Sequence, residues 1–97
     1  MFEFKIDHRL ADLCSNHHVQ SLAIFGSALS DRFGPKSDLD LLVEFKPGFR
    51  VGYIELATLE QELSDLFGQR VDVRTPNELS RHFRAEVLHD ARQIYAP

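Results

Sequence analysis

The sequence contains a single cysteine, Cys14, so neither a disulfide framework nor a multi-cysteine zinc site can be built from one chain. Positive charge is also scarce. Eleven Lys and Arg stand against fifteen Asp and Glu, for a net charge of −4. An acidic chain repels phosphate backbones, so coating DNA or RNA by bulk charge is disfavoured and no direct nucleic-acid partner is expected. No apolar run approaches the ~20 residues of a bilayer-spanning helix, so no membrane association is expected. The first residues, Met1-Phe2-Glu3-Phe4-Lys5-Ile6-Asp7, carry acids where a signal peptide carries a basic and then an apolar block. These absences together point to a cytoplasmic protein. Internal repeats, low-complexity stretches and linkers are absent too. What remains is 97 residues with 43% hydrophobic and 27% charged side chains, an ordinary globular balance. A chain of this size buries roughly 60–70% of its unfolded surface, enough for one modest core. Residues 1–97 are therefore expected to form one domain.

The periodicity predicts alternating helices and strands. Ile6, Leu10 and Leu13 recur at helical spacing, with Asp7 as a candidate N-cap. Val19 to Phe25 is a mostly apolar run of strand length that stops at Gly26. Ser27 to Phe33 suits two short helical turns capped by Ser27 and ended by Gly34-Pro35. Asp38 to Phe45 reads as a second strand in which Leu39, Leu41, Val43 and Phe45 share one face. Leu56, Leu59, Leu63 and Leu66 then mark an amphipathic helix that Gly68 ends, with Glu55, Glu60, Glu62 and Asp65 largely outside the stripe. Arg70 to Arg74 is a short third strand, with Asp72 opposed to Val71 and Val73. Thr75-Pro76-Asn77-Glu78 reads as a capped helix start. Beyond it Phe83, Val87, Ala91 and Ile94 or Tyr95 lie at helical spacing, and Ser80 is a candidate cap for a separate last helix. The expected order, α-β-α-β-α-β-α, describes an α/β (α+β) domain: a small mixed sheet with helices, on one face if the strands number three.

Chemistry concentrates in Gly26-Ser27 and Ser37-Asp38-Leu39-Asp40. Asp38 and Asp40, at i and i+2 on a strand, share a face with Cα atoms roughly 6.6 Å apart. Two such carboxylates repel unless a cation lies between them. Mg²⁺ suits a few carboxylates together with phosphate oxygens. If the strands are neighbours, Asp72 joins the pair, which is the arrangement a two-metal site uses to clamp attacking and leaving oxygens. Gly26 permits close backbone approach, and Ser27 at a helix start offers N–H groups and a hydroxyl to an anion.

This ordered set, Gly26-Ser27, then Asp38-Leu39-Asp40, then Val71-Asp72-Val73, resembles the DNA polymerase β-like nucleotidyltransferases. It is most similar to the minimal nucleotidyltransferase (MNT) proteins. The resemblance extends over the strand exit at 43–48, the segment Arg70 to Pro76 and the closing stretch Phe83 to Leu88. It implies a truncated polymerase β-like palm that uses Mg²⁺ and takes ATP as nucleotide donor. In that family Asp38 and Asp40 would bind metal. Asp72 would complete the catalytic set, binding one ion and helping to activate the acceptor hydroxyl. Gly26 and Ser27 would hold the triphosphate. The resemblance also implies a partner, since MNT proteins pair with helical HEPN-domain toxins as antitoxins and transfer AMP to a partner tyrosine. A hetero-oligomer follows. Many members carry Arg-Gly after Gly-Ser. Here Leu29-Ser30-Asp31-Arg32 stands there, which leaves Arg32, Lys36 and Arg74 as candidates to neutralise the triphosphate.

The remaining reactive side chains have plainer readings. His8, His17, His18, His82 and His89 match no metal-binding spacing and are expected on the surface. Cys14 adjoins an apolar stripe and is expected as a packed thiol. Tyr53 and Tyr95 are expected as packed rings, and Arg81, Arg84 and Arg92 as solvated helix charges. Two functions fit the sequence. One is Mg²⁺-dependent transfer of AMP from ATP to a hydroxyl of a HEPN-type toxin. The other is an antitoxin that neutralises the same partner by binding alone. A nucleotidyltransferase acting unaided is disfavoured by length, since 97 residues leave little room to hold an acceptor.

Overall fold

The computed structural model describes residues 8–26, 34 and 37–96. Helix α1 (His8–Asn16) leads into strands β1 (Val19–Phe25) and β2 (Leu39–Phe45). Helix α2 (Tyr53–Phe67), strand β3 (Val71–Arg74), a 3-10 turn (Pro76–Glu78), helix α3 (Arg81–Asp90) and strand β4 (Arg92–Tyr95) follow. Among the described residues the four strands form one mixed sheet in the order β3-β2-β1-β4. β1 is antiparallel to β2 and to β4, whereas β2 and β3 run parallel.

Hydrophobic alternation decides which face is covered. Leu39, Leu41 and Val43 of β2, Leu22 and Ile24 of β1, and Val71 and Val73 of β3 are buried together with Leu10 and Cys14 of α1 and Leu59 and Leu63 of α2. Leu13, Phe45, Leu56 and Leu66 pack at the margin of this cluster. The leucine stripe of α2 thus meets the sheet as its spacing predicts. Gly68, in the left-handed region at φ 69°, ends the helix by donating its N–H to the Ser64 carbonyl at 2.9 Å. Cys14 is a packed thiol, and desolvation pushes its pKa up to about 12.

β3 is an edge strand, and α2 closes that edge with side chains. The Val71 N–H donates to Ser64 Oγ at 2.9 Å and the Val73 N–H to Glu60 Oε2 at 2.8 Å. Glu60, expected on the solvent side of its helix, therefore secures the strand that carries Asp72.

The C-terminal stretch departs from expectation. Thr75 and Glu78 do form a cap, the Glu78 carboxylate accepting from the Thr75 N–H at 3.4 Å and from its hydroxyl at 3.2 Å. They start only a 3-10 turn, and the helix begins afresh at Ser80, whose Oγ accepts from the His82 N–H at 3.3 Å. Arg84 is not merely solvated. It donates to the carbonyls of Pro76 (2.9 Å) and Leu79 (3.2 Å), tying α3 to that turn. The helix stops at Asp90, so Ile94 and Tyr95 belong to a fourth strand rather than to a helical stripe. Ile94 enters the core, and β4 covers what would otherwise be an open edge of β1. The helices are likewise not confined to one face. α1 and α2 cover the leucine face, whereas Leu88 of α3 and the adjoining Ala91 border a cavity of about 160 Å³ with Ser21, Ala23 and Leu42 of the opposite face. Tyr53 is a further correction: as the first residue of α2, beyond the reach of the core, it is 92% exposed. Tyr95 packs against the core as expected. The proposed cap Asp7 with Ile6, and the turns over 27–33, lie outside the described residues.

Candidate functional site

The face of β2 opposite the leucines carries Asp40, and the sheet register determines its neighbours. Asp40 pairs with Phe25 at the end of β1 on one side and with Asp72 of β3 on the other. The condition under which Asp72 would join the pair, that the two aspartate-bearing strands be neighbours, is fulfilled, with Asp40 and Asp72 abreast on parallel strands. Asp38 lies just before β2 and is exposed. The loops flanking it are held by two hydrogen bonds: the Leu39 N–H donates to the Arg70 carbonyl at 2.8 Å, and Gln69 Nε2 to the Ser37 carbonyl at 2.8 Å.

Gly26 closes the group from the side of β1. Its backbone is in the left-handed region at φ 74°, and a Cβ built there would fall 2.6 Å from Asp40 Oδ2. Both constraints call for glycine, the conformation because L side chains rarely adopt it and the contact because it is shorter than real Cβ atoms make. Gly26 thus lets the chain turn directly over the Asp40 carboxylate. Ser27, Arg32 and Lys36, read from the sequence as triphosphate contacts, lie outside the described residues.

The electrostatics are those of an under-neutralised acid cluster. The Asp40 carboxyl is held above its usual range, first by desolvation, then by the charges of Asp72 and Asp38, with Arg74 acting in the opposite sense. Arg74 Nη1 sits 2.9 Å from Asp72 Oδ1 and is the cation at hand. Sequence reading placed Arg74 among the triphosphate candidates without showing this contact. Among the described residues no three His, Cys, Asp or Glu side chains converge tightly enough to enclose a metal ion by themselves. The donor set nonetheless fits Mg²⁺. That ion takes one or two carboxylates and completes its shell with water and substrate phosphate, and mutually repelling carboxylates are what such a cation relieves.

The histidines stand apart from this site. His17 pairs with Glu62 of α2, and His18, at φ 60°, stacks on Phe49 with ring centroids 3.9 Å apart. No helix among the described residues is long and apolar enough to cross a membrane.

Comparison with known proteins gives this geometry a family. The family described as "Nucleotidyltransferase domain" matches residues 8–95. A Methanocaldococcus jannaschii protein named "Putative protein adenylyltransferase" is 31% identical over 90 residues, which cover 93% of this chain and 95% of that protein. A solved structure described as "putative minimal nucleotidyltransferase" superposes with a TM-score of 0.70 at 35% identity, over 87% of this chain and 86% of that one. The fold is also that of a chain in the complex of a tri-AMPylated Shewanella oneidensis HEPN toxin with its MNT antitoxin. There the TM-score is 0.65 at 18% identity, over 95% of this chain and 71% of the other. The chain belongs to the nucleotidyltransferase domain family.

Proposed function

We propose that this nucleotidyltransferase moves AMP from ATP to a hydroxyl, a tyrosine's, on a HEPN-type toxin partner, and that it acts in this way as an antitoxin. The observation that carries the proposal is the facing pair Asp40 and Asp72, with Gly26 turned over Asp40 and Asp38 near enough to raise its pKa. The M. jannaschii relative, named for protein adenylyltransfer and matched over nearly its whole length, supports the choice of AMP and of a protein acceptor. The shared fold of an antitoxin found beside an AMPylated HEPN toxin supports the choice of partner.

In this reading Asp38, Asp40 and Asp72 would share the binding of Mg²⁺, with water and substrate phosphate completing its shell. When bound, the ion neutralises the departing phosphates and lowers the pKa of the acceptor hydroxyl. The chain's own residues set the rest. Gly26 keeps side-chain bulk away from Asp40 so that a polyphosphate can approach, and Ser27 supplies it with a hydroxyl and N–H groups. Asp72, on the edge strand, lies where an acceptor from another chain can reach it and helps take the hydroxyl proton. The acceptor oxygen forms a bond to the α-phosphorus, the bond to the β-phosphate oxygen breaks, and pyrophosphate leaves. Arg74 exchanges Asp72 for the triphosphate when nucleotide arrives. Use of ATP and of a toxin substrate supports, within this proposal, a cytoplasmic location and a hetero-oligomer.

The test is an intact-mass spectrum of a HEPN-type protein, after incubation with this protein, ATP and Mg²⁺. The expected result is a gain of one or more AMP units, abolished by Asp40→Asn and by chelation. A stable complex with no mass gain would replace the proposal with an antitoxin that works by binding alone.

A further inference from the structure

Beside the aspartates, between the end of β1 and α3, lies a cleft of about 1030 Å³. Phe25 and Gly26 line it from the strand, and Phe83, Glu86, Val87 and Asp90 from the helix. It lies at the upper end of the roughly 300–1,000 Å³ usual for ligand pockets, large enough for more than one side chain. Gly26 is common to this cleft and to the acid site, so an occupant passing Gly26 comes directly to the Asp40 carboxylate.

Helix α3 has no buried residue at all. Phe83, 61% exposed, and Val87 one turn later present an apolar surface toward the cleft that nothing described covers. On the same helix Glu86 and Asp90 stand four residues apart at the rim, both exposed. Like charges at that spacing destabilise an isolated helix, and neither side chain has an ion-pair partner among the described residues. Arg92, at the far end, is the single cation among the described residues of the lining. Among its described residues the cleft therefore combines aromatic and aliphatic side chains with a predominantly acidic rim. A polyphosphate is repelled by such a rim, whereas a basic peptide is attracted to it.

We infer that this cleft is the acceptor groove: it docks a segment of the partner protein in which the hydroxyl-bearing aromatic residue lies between Lys or Arg side chains. The ring rests on Phe25, Phe83 and Val87, the flanking cations meet Glu86 and Asp90, and the hydroxyl is presented past Gly26 toward Asp40 and Asp72. The inference rests on the nucleotidyl-transfer reading above and adds the chemistry by which the acceptor is recognised.

Two fluorescently labelled pentapeptides test it, Lys-Lys-Tyr-Lys-Lys and Glu-Glu-Tyr-Glu-Glu, titrated against the full chain without nucleotide or metal and followed by anisotropy. The wild-type protein binds the basic peptide about five- to tenfold more tightly, the scale of two exposed ion pairs. Glu86→Lys with Asp90→Lys reverses the preference, and Glu86→Gln with Asp90→Asn brings it close to unity. Phe83→Ala weakens both peptides alike. Equal affinities, no binding, or a preference indifferent to Glu86 and Asp90 overturns the groove. So does metal-free ATP displacing the peptide with a Phe83→Ala loss confined to ATP, which assigns the cleft to the nucleoside instead. Adding ATP and Mg²⁺ and weighing the peptides separates the two claims. Charge-selective binding without AMP transfer to any acceptor leaves the groove and removes the transfer reading. Transfer that ignores Glu86 and Asp90 does the reverse.

Discussion

Leu41 and Asp40 are consecutive residues of one strand that face opposite ways, and the two faces of β2 obey different rules. On one, Leu39, Leu41 and Val43 meet the leucines of α2 and the floor of α1, each lost from solvent and surrounded by apolar neighbours. On the other, Asp40 stands beside Asp72 and within the field of Asp38, partly desolvated and opposed mainly by Arg74. The first face lowers the free energy of the folded chain. The second raises it, because it gathers like charges that the unfolded chain keeps apart. A protein that retains such a face at some cost in stability has a use for it, and the cost marks where the chemistry lies.

The contrast can be broken from either side. Its largest consequence belongs to the leucine face. Leu41→Ala, at a site with no solvent exposure, should destabilise the fold by about 2–5 kcal/mol in urea titrations. A loss under about 1 kcal/mol would mean that the core does not depend on this strand. The next concerns the edge that holds Asp72 in register. Glu60→Ala removes the acceptor of the Val73 N–H and should cost about 1–3 kcal/mol, with Glu60→Gln retaining most of the stability. Equal behaviour of the two variants would show that the carboxylate is not securing the strand.

The smallest effect carries an informative sign. Because the folded-state pKa of Asp40 is raised, folding favours its protonated form. Below the ordinary aspartate pKa, near 3.9, both states are protonated and no penalty exists. As pH rises through that value toward the raised one, the unfolded chain ionises first and stability falls. Above the raised value the loss is complete and constant. Asp40→Asn should therefore melt slightly above the wild-type protein at pH 7, the difference closing toward pH 3. A variant that melts lower at pH 7 would contradict the electrostatic account of this face.

How much of this was readable beforehand depended on the range of the interaction. Leu56, Leu59, Leu63 and Gly68 specify α2 through local spacing, and the structure places that helix as expected. That β2 and β3 adjoin was only a condition of the sequence reading, because local patterning does not say which strands pair; the structure meets that condition, and the register sets Asp40 against Asp72. β4 was missed because Ala91, Ile94 and Tyr95 also fit a helical period, and only long-range pairing with β1 separates the two possibilities. Glu60 was misjudged for a similar reason. On an isolated helix it is a solvated acid, and its role exists only once the edge of β3 arrives beside it. Gly26 was recognised as a point of close approach, but which group approaches, the Asp40 carboxylate, is a tertiary fact. The uncovered face of α3 had no signature in the sequence, where Phe83 and Val87 read only as apolar positions at helical spacing.

The most direct test of the central claim, that the acid face is kept for a metal–nucleotide ligand, is the melting temperature of the wild-type protein and Asp40→Asn with and without Mg²⁺ and a non-hydrolysable ATP analogue. The account predicts a crossing. Without ligand Asp40→Asn is the equal of wild type or slightly better, and with ligand only wild type gains several degrees, since binding to the folded state alone stabilises it. If both proteins gain equally, or if neither does, Asp40 is not part of such a site and the acid face needs another explanation.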